Sequence, residues 1–265
     1  MTTARNGWEL QISEQQLARL TRDMDEAHRE TLPAMWASAV DLADEVRTTE
    51  HTHLARRRFL LGAGGAAAAL ALAACSSSSD KKSDASTSPS GPASGGGQYT
   101  GDLKVVALAT ALENQAVGAY QATLTAAKAG KLGTVPPAVA TFVTTAMAQH
   151  ADHAKAWNAV LTGAGKPAIT NVPLSNQADV TAALGKATDV GAVAKLALQL
   201  EDQAAQTYLF ATYNVTSPAG ISTAATIAPV EAMHAAILHY VLGEYPVPDD
   251  FLPVDKAAST TLLTV

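Results

Sequence analysis

The sequence is poor in several residue types, and each scarcity narrows what the protein can be. Only one of its 265 residues is a cysteine, so no disulfide can form within the chain. Charged residues make up 16% and the formal net charge is −6, which excludes a broad basic surface for binding nucleic acid. Aromatic residues make up 5% against 48% hydrophobic residues, which indicates a globular, mostly helical chain rather than a disordered or polytopic membrane protein.

Arginine is absent after Arg58, although the residues up to that point contain all eight arginines of the chain. From Gly101 onward the sequence also contains only four glutamates and four histidines. They are Glu113, Glu201, Glu231, Glu244, His150, His153, His234 and His239. The positions of these eight side chains on their helices therefore decide the functional interpretation.

Residues 56–75 resemble a twin-arginine export signal that ends in a lipobox. Arg56, Arg57 and Arg58 precede a Phe and an apolar run rich in Gly, Ala and Leu, which ends in Leu-Ala-Ala before Cys75. The run is shorter than the about 20 residues that a membrane-spanning helix needs. We expect export by the twin-arginine route and a lipid anchor on Cys75, at the outer face of a bacterial cytoplasmic membrane. The alternative is that Cys75 is an incidental residue of an apolar stretch.

Residues 1–55 form an unusually long lead before this signal. Ser13 and Gln16 match a capping box, and apolar residues follow at helical spacing. The break at Leu32-Pro33 predicts a short cytosolic helical hairpin. The alternative is that translation starts at Met35, and the sequence leaves both interpretations open.

Residues 76–100 are rich in Ser and Gly and low in apolar residues, which is typical of a flexible tether. A coil of this length spans roughly 27 Å. We therefore expect the folded domain to comprise residues 101–265 and to stand just off the membrane surface.

Helical periods separated by Gly and Pro predict four main helices in this domain, at about 102–129, 137–161, 191–213 and 222–242. A long connection with a short helix near 178–186 joins the second to the third. Short links pair neighbouring helices and a long link crosses the bundle, as in ferritin-like four-helix bundles. The expected fold class is all-α, a four-helix bundle with one long crossover between helices two and three.

The domain also repeats itself. The residues Leu-Glu-Asn-Gln-Ala at 112–116 recur as Leu-Glu-Asp-Gln-Ala at 200–204, and each motif is followed by a tyrosine at the same spacing. Likewise His-x-x-His at 150–153 aligns on Glu-x-x-His at 231–234. Two helix pairs of similar design are therefore expected.

Six of the eight scarce ionisable residues fall on the apolar stripes of the four helices and should point inward. They are Glu113, His150, His153, Glu201, Glu231 and His234. Buried carboxylates are costly unless a counter-charge meets them, and no arginine or lysine falls on these stripes. A bound metal cation is the simplest source of the missing positive charge.

Three other ring-bearing positions have expected roles. Tyr120 and Tyr208 each follow a glutamate by two turns, so they could orient ligands or carry radicals, or simply pack with a satisfied hydroxyl. Trp157 is expected to serve packing. His239 falls off the stripe and is expected at the surface.

The inward-facing set resembles the di-iron or di-manganese carboxylate site of the ferritin-like superfamily, in which two helices give one Glu each and two give Glu-x-x-His. The resemblance implies that the three glutamates bind metal and that His153 and His234 each complete one ion. His150 departs from the family pattern because a glutamate is expected there. With a bridging carboxylate lost, a mononuclear or asymmetric centre and zinc occupancy are alternatives to a dinuclear iron or manganese centre. Residues 245–251 look like the Pro-rich closure of exported bacterial ferritin-like domains, a group that includes desiccation-related proteins.

The resemblance implies a metal cofactor, iron or manganese, and a reaction with a small oxidant, O₂ or peroxide, in oxidative or desiccation stress. If the protein is an enzyme, it is expected to be an oxidoreductase. The alternative is a non-catalytic, stress-protective lipoprotein whose Glu and His side chains satisfy one another without metal. Storage of iron in a closed shell fits poorly with a tether. The expected partner is the membrane, and a homodimer is left open.

Overall fold

The computed structural model describes the backbone of residues 8–72, 98–247 and 253–265, and the side chains of these ranges except those from 50 to 72. The described residues are mostly helical. The α-helices are α1 (Glu14–Leu72), α2 (Asp102–Lys128), α3 (Pro137–Gly163), α4 (Gln177–Lys186), α5 (Val190–Asn214) and α6 (Pro218–Leu242), followed by one 3₁₀ turn at Thr260–Leu262. The described residues contain no strand beyond an isolated bridge between Leu174 and Leu263.

Local signals in the sequence set the ends of these helices. The Asp189 side chain accepts a hydrogen bond from the backbone N–H of Ala192 at 2.8 Å and so caps α5. Ser217 caps α6 in the same way, and prolines stand in the first turns of α3 and α6, where no N–H is needed. Gly243 ends α6 with φ of 75°, a left-handed conformation that favours glycine.

The four domain helices pair as expected. Helix α2 packs on α3 and α5 packs on α6, while the connection that contains α4 crosses between the two pairs. The helix ends lie within a few residues of those predicted. The all-α fold class with one long crossover between the second and third main helices is therefore confirmed.

The N-terminal helix differs from the prediction. The capping box is present, because Ser13 Oγ accepts from the Gln16 N–H and Gln16 Oε1 accepts from the Ser13 N–H. The predicted hairpin is wrong, because α1 continues unbroken through Pro33. An interior proline costs about 3 kcal/mol. Met24 before it and Met35 after it are both only 2% exposed, and each contributes about 1.5–3 kcal/mol by burial, which offsets that cost.

Helix α1 is also part of the bundle rather than a separate lead. It lies along α3 and α6. Leu17 and Met24 join an apolar cluster with Phe142, and Leu42 joins a second cluster that contains Trp157. The described core is therefore built by five long helices rather than four.

The C-terminal residues return to the connection between the two helix pairs. The N–H of Ser175 donates to the Leu262 carbonyl, and the N–H of Thr264 donates to the Pro173 carbonyl, both at 2.9 Å. Ala258 and Leu174 pack there against Leu108 of α2. The tail therefore closes the side of the bundle opposite to α1.

Several predicted features lie outside the described residues. They include Cys75, most of the tether at 76–100, and the end of the Pro-rich closure at 245–251; the side chains of Arg56 and Arg57 are likewise not described. The export signal, the lipid anchor and the tether therefore stay predictions. Within the described residues, α6 alone is long and apolar enough to cross a membrane, but half of its most apolar window is buried inside the bundle, which is typical of a core helix.

Candidate metal centre

A layer of polar side chains crosses the bundle between its two main apolar clusters. One cluster contains Met35 and Ile227, and the other contains Met24, Phe142 and Leu238. Between them, each of α2, α3, α5 and α6 places its inward-facing Glu or His residues at the same level. The helical periodicity that buries the apolar residues on either side therefore also fixes the height of the polar ones.

The structure brings all six predicted site residues together in this layer, and each is at most 2% exposed. They form two groups of four whose ligand atoms lie within 4.8 Å of one another. The first group, which we call the His153 position, consists of Glu113, His150, His153 and Glu231. The second group, the His234 position, consists of His150, Glu201, Glu231 and His234.

His150 and Glu231 belong to both positions. The two ring nitrogens of His150 lie 2.7 Å from Glu113 Oε2 and 3.0 Å from Glu201 Oε1. Glu231 Oε1 lies 2.8 Å from His153 Nδ1, and Glu231 Oε2 lies 3.3 Å from His234 Nδ1. The substitution of His for Glu at position 150 thus leaves Glu231 as the carboxylate that faces both positions.

The electrostatics of the layer balance three carboxylates against three imidazoles. Burial on its own lowers the pKa of His153, but the Glu113 and Glu231 carboxylates outweigh it and raise that pKa to about 9. The pKa values of His150 and His234 are raised in the same way, against the effect of burial. Burial opposes ionisation of Glu113, yet His153 and His150 hold its pKa at about 2. Without metal the layer therefore stores protons on its histidines.

Some buried polar atoms of the layer lack hydrogen-bond partners in this arrangement. His153 Nδ1 and both carboxylate oxygens of Glu231 have no hydrogen-bond partner among the described residues. His153 Nδ1 and Glu231 Oε1 are close, but their relative orientation is not that of a hydrogen bond. Orphaned buried atoms of this kind cost about 1–3 kcal/mol each, and more when charged. Once His153 gives up its proton, the lone pairs of its Nδ1 and of the Glu231 oxygens converge without bonding one another, so the donor set fits a carboxylate- and imidazole-bound metal.

The two tyrosines connect the halves of the repeat. The Tyr120 hydroxyl on α2 donates to Glu201 on α5, and the Tyr208 hydroxyl on α5 donates to Glu113 on α2. Trp157 Nε1 donates to the Tyr208 oxygen at 2.8 Å, a polar contact beyond the packing role expected of it. The tyrosines therefore hold one oxygen of each of these glutamates in place.

Two buried polar residues of the layer, His28 and Gln149, were missed by the sequence interpretation. His28 on α1 is 3% exposed, and its ring meets the His153 ring edge-on at a centroid distance of 5.2 Å. Gln149 Oε1 accepts from His234 Nε2 at 2.8 Å, and Gln149 Nε2 donates to Asp25 Oδ1 at 3.3 Å. The available signal was the apolar stripe of α1, which His28 continues one turn after Met24.

Burial lowers the pKa of His28 to about 4, with the neighbouring histidines adding to that effect, so this ring is neutral beside its charged neighbours. His239 also differs from the prediction. It is buried at 7% exposure rather than at the surface, because its Nδ1 pairs with Glu244 at 2.8 Å just after the end of α6. His239 does not belong to either group of ligand atoms.

Comparison with known proteins agrees with this architecture. A family model described as a ferritin-like domain matches residues 101–244, which is more than half of the chain. No curated protein and no solved structure gives a significant match. The matched region contains all six site residues and excludes α1.

Proposed function

This chain belongs to the ferritin-like domain family, and on that premise we propose that its polar layer binds two ions of iron or manganese and reacts with O₂ or peroxide. The membrane-tethered form expected from residues 56–100 would place this activity at the outer face of the cytoplasmic membrane. A role in oxidative or desiccation stress follows from that location and chemistry.

The observation that carries the proposal is the state of Glu231. Its carboxylate is fully buried, both of its oxygens lack a hydrogen-bond partner among the described residues, and it is shared by both groups of ligand atoms. A carboxylate in that state is expensive unless a cation meets it. No lysine or arginine side chain in the described part of the chain reaches the layer, so its counter-charge is either protons on the three histidines or a metal ion. The oxygens of Glu231 that lack hydrogen-bond partners favour the metal ion.

The residues around the two positions have separable tasks. Glu113, His153 and Glu231 would hold one ion, and Glu201, His234 and Glu231 the other, with His150 between them. Tyr120 and Tyr208 keep their glutamates oriented, and Gln149 fixes the ring of His234. Bound iron or manganese would supply open coordination positions for the oxidant and exchange electrons with it.

Protons accompany any charge that enters or leaves this layer. Three imidazoles with raised pKa values lie against the carboxylates, so the protein can release protons when cations enter. In the full chain, apolar clusters flank the layer on both sides, so a small oxidant such as O₂ or peroxide suits the site.

The test is anaerobic metal binding by the full chain, because α1 supplies part of the core. We expect about two equivalents of Fe(II) or Mn(II) to bind, and Glu231→Gln to lose binding at both positions. Glu244→Gln is the matched control, since Glu244 lies just beyond the same helix and outside the centre. Substoichiometric binding that Glu231→Gln leaves unchanged would overturn the metal-centre proposal.

A second experiment separates catalysis from a structural role. Consumption of O₂ or peroxide by the loaded protein, and its loss in Glu113→Ala and Glu201→Ala, would support the oxidoreductase. One observation favours the non-catalytic alternative: Glu113 and Glu201 are each hydrogen-bonded to a ring nitrogen of His150 without metal. A protein that stays metal-free in the cell and consumes no oxidant would fulfil that alternative.

The membrane tether needs its own test. Fractionation of cells that produce the full chain should place it in the membrane fraction with a lipid-modified Cys75. Cys75→Ala should release it or leave it unprocessed, and Arg56→Lys with Arg57→Lys should block export. Membrane association that Cys75→Ala does not alter would contradict the lipid anchor.

A further inference from the structure

His28 is a histidine of the polar layer that lies outside the part of the chain matched by the family model. It projects from α1 between Met24 and Met35, which belong to the apolar clusters on either side of the layer. Its level in the bundle is therefore that of the six site residues. Helix α1 packs on α3 and α6, the helices that carry His153 and Glu231, so His28 approaches the His153 position from outside the four-helix bundle.

The spacing of the imidazole rings suits a shared ion. Two imidazoles bound to one ion at about 2.1 Å, with an angle of about 90–110° at the metal, hold their ring centroids about 4.5–5.2 Å apart. The centroids of His28 and His153 are 5.2 Å apart. For comparison, the pairs within the two groups of ligand atoms lie 4.9 Å apart for His150 and His234 and 6.2 Å apart for His150 and His153.

The hydrogen bonding of His28 is incomplete. His28 Nε2 is buried and has no hydrogen-bond partner among the described residues, and the same holds for His153 Nδ1 and the Glu231 oxygens. Four orphaned atoms thus belong to three neighbouring side chains. His153 and Glu231 belong to the His153 position, and His28 lies outside both groups of ligand atoms but contacts the His153 ring. One species bound among these three side chains would serve all four atoms.

We propose that His28 is a further ligand of the ion at the His153 position and that α1 is a fifth wall of the metal centre. The inference rests on the proposed metal-binding function. It gives the His153 position a third imidazole, next to His150 and His153. The two positions then differ, because the His234 position receives Gln149 from the outer side, hydrogen-bonded to Asp25 of the same helix α1.

The test is Co(II) binding to the full chain, followed by visible absorption, because the ligand-field bands of Co(II) change when a nitrogen ligand is lost. We expect two equivalents to bind to the unaltered protein. His28→Ala should weaken one of them about 10- to 100-fold, change its spectrum and leave the other equivalent intact. Added free imidazole should restore the spectrum of His28→Ala by entering the space left by the ring.

Two further variants control for packing. His28→Leu keeps most of the side-chain volume without a lone pair, so its metal-free form should unfold at a urea midpoint no lower than that of the unaltered protein while it shows the same loss of Co(II) affinity. Met24→Ala removes packing of α1 one turn earlier, and it should lower the midpoint and leave the Co(II) spectrum unchanged.

The outcomes distinguish the role of His28 from the proposed metal binding on which it rests. Normal stoichiometry, affinity and spectrum in both His28 variants would overturn the role of His28 and leave the metal centre standing. Failure of the unaltered protein to bind Co(II), Fe(II) or Mn(II) would overturn both. A spectrum changed equally by Met24→Ala and His28→Leu would assign the effect to displacement of α1 and overturn direct binding by His28.

Discussion

Tyr120 and Tyr208 occupy equivalent places in the two halves of the repeat, yet their removal should not cost the same. Each hydroxyl donates to a buried glutamate of the other half. Only Tyr208 also accepts a hydrogen bond, from Trp157 Nε1 at 2.8 Å. Changing each tyrosine to phenylalanine keeps the ring and removes the hydroxyl, so the pair isolates the value of that second bond.

The expected magnitudes follow from the groups left behind. A lost hydrogen bond to a charged acceptor costs about 1.5–3 kcal/mol, and a stranded buried donor costs about 1–3 kcal/mol. Tyr120→Phe should therefore lower the free energy of unfolding by about 1.5–3 kcal/mol. Tyr208→Phe should lower it by about 2.5–6 kcal/mol, because it also strands the indole N–H of Trp157.

Urea unfolding of the metal-free full chain, followed by circular dichroism, measures this difference. With a slope of about 3 kcal/mol per M, Tyr208→Phe should shift the midpoint by about 0.8–2 M and Tyr120→Phe by about 0.5–1 M. In the Tyr208→Phe background, Trp157→Phe should cost less than it does alone, since the donor is already stranded. Equal losses for the two tyrosines, or a larger loss for Tyr120→Phe, would refute the reasoning.

Three further outcomes are expected. Gly163→Ala at the end of α3 would place a Cβ atom 2.7 Å from Ala43 Cβ, so it should destabilise the protein by about 1–3 kcal/mol and speed hydrogen exchange in α1. In Gly118→Ala the new Cβ meets no atom within 4 Å, so this variant should stabilise the protein by about 0.5–1 kcal/mol. The pKa of His153 is raised from 6.5 to about 9, so its proton stabilises the metal-free fold fully below about pH 6.5. The urea midpoint of the metal-free protein should therefore fall as pH rises toward 9. The midpoint of metal-saturated protein should stay level over the same range. Calorimetry in buffers of different ionisation enthalpy should detect the release of about three protons when the two metal positions fill at pH 7. Metal affinity should also increase as pH rises. Uptake of protons would contradict the raised pKa values of the histidines.

The sequence was sufficient for the features that depend on local periodicity. Glu113, His150 and Glu201 stand on apolar stripes with a period of about 3.6 residues, and a stripe fixes both the helix and the direction of the side chain. The short, long, short order of the connections fixed the pairing of the helices. All-α architecture and the six residues of the layer could therefore be predicted without coordinates.

The features that escaped prediction depend on contacts between distant parts of the chain. His28 and His153 are 125 positions apart, with a signal-like stretch and a Ser- and Gly-rich segment between them, so nothing local indicates that they meet. Pro33 was interpreted as a break because the packing that holds the helix straight comes from α3 and α6. His239 was expected at the surface because its partner, Glu244, follows the end of its helix.

The continuity of α1 has a consequence for the life of the protein. Its first part covers one side of the polar layer, and the same helix continues through Arg56 and Arg57 of the expected export signal to Leu72, three residues before Cys75. Cleavage before Cys75 would therefore remove α1, with His28 and Asp25 and its part of the core, together with the expected export signal. If the proposed metal centre and the proposed processing both hold, the precursor would have a layer closed by α1, whereas the processed chain would have a layer open on that flank.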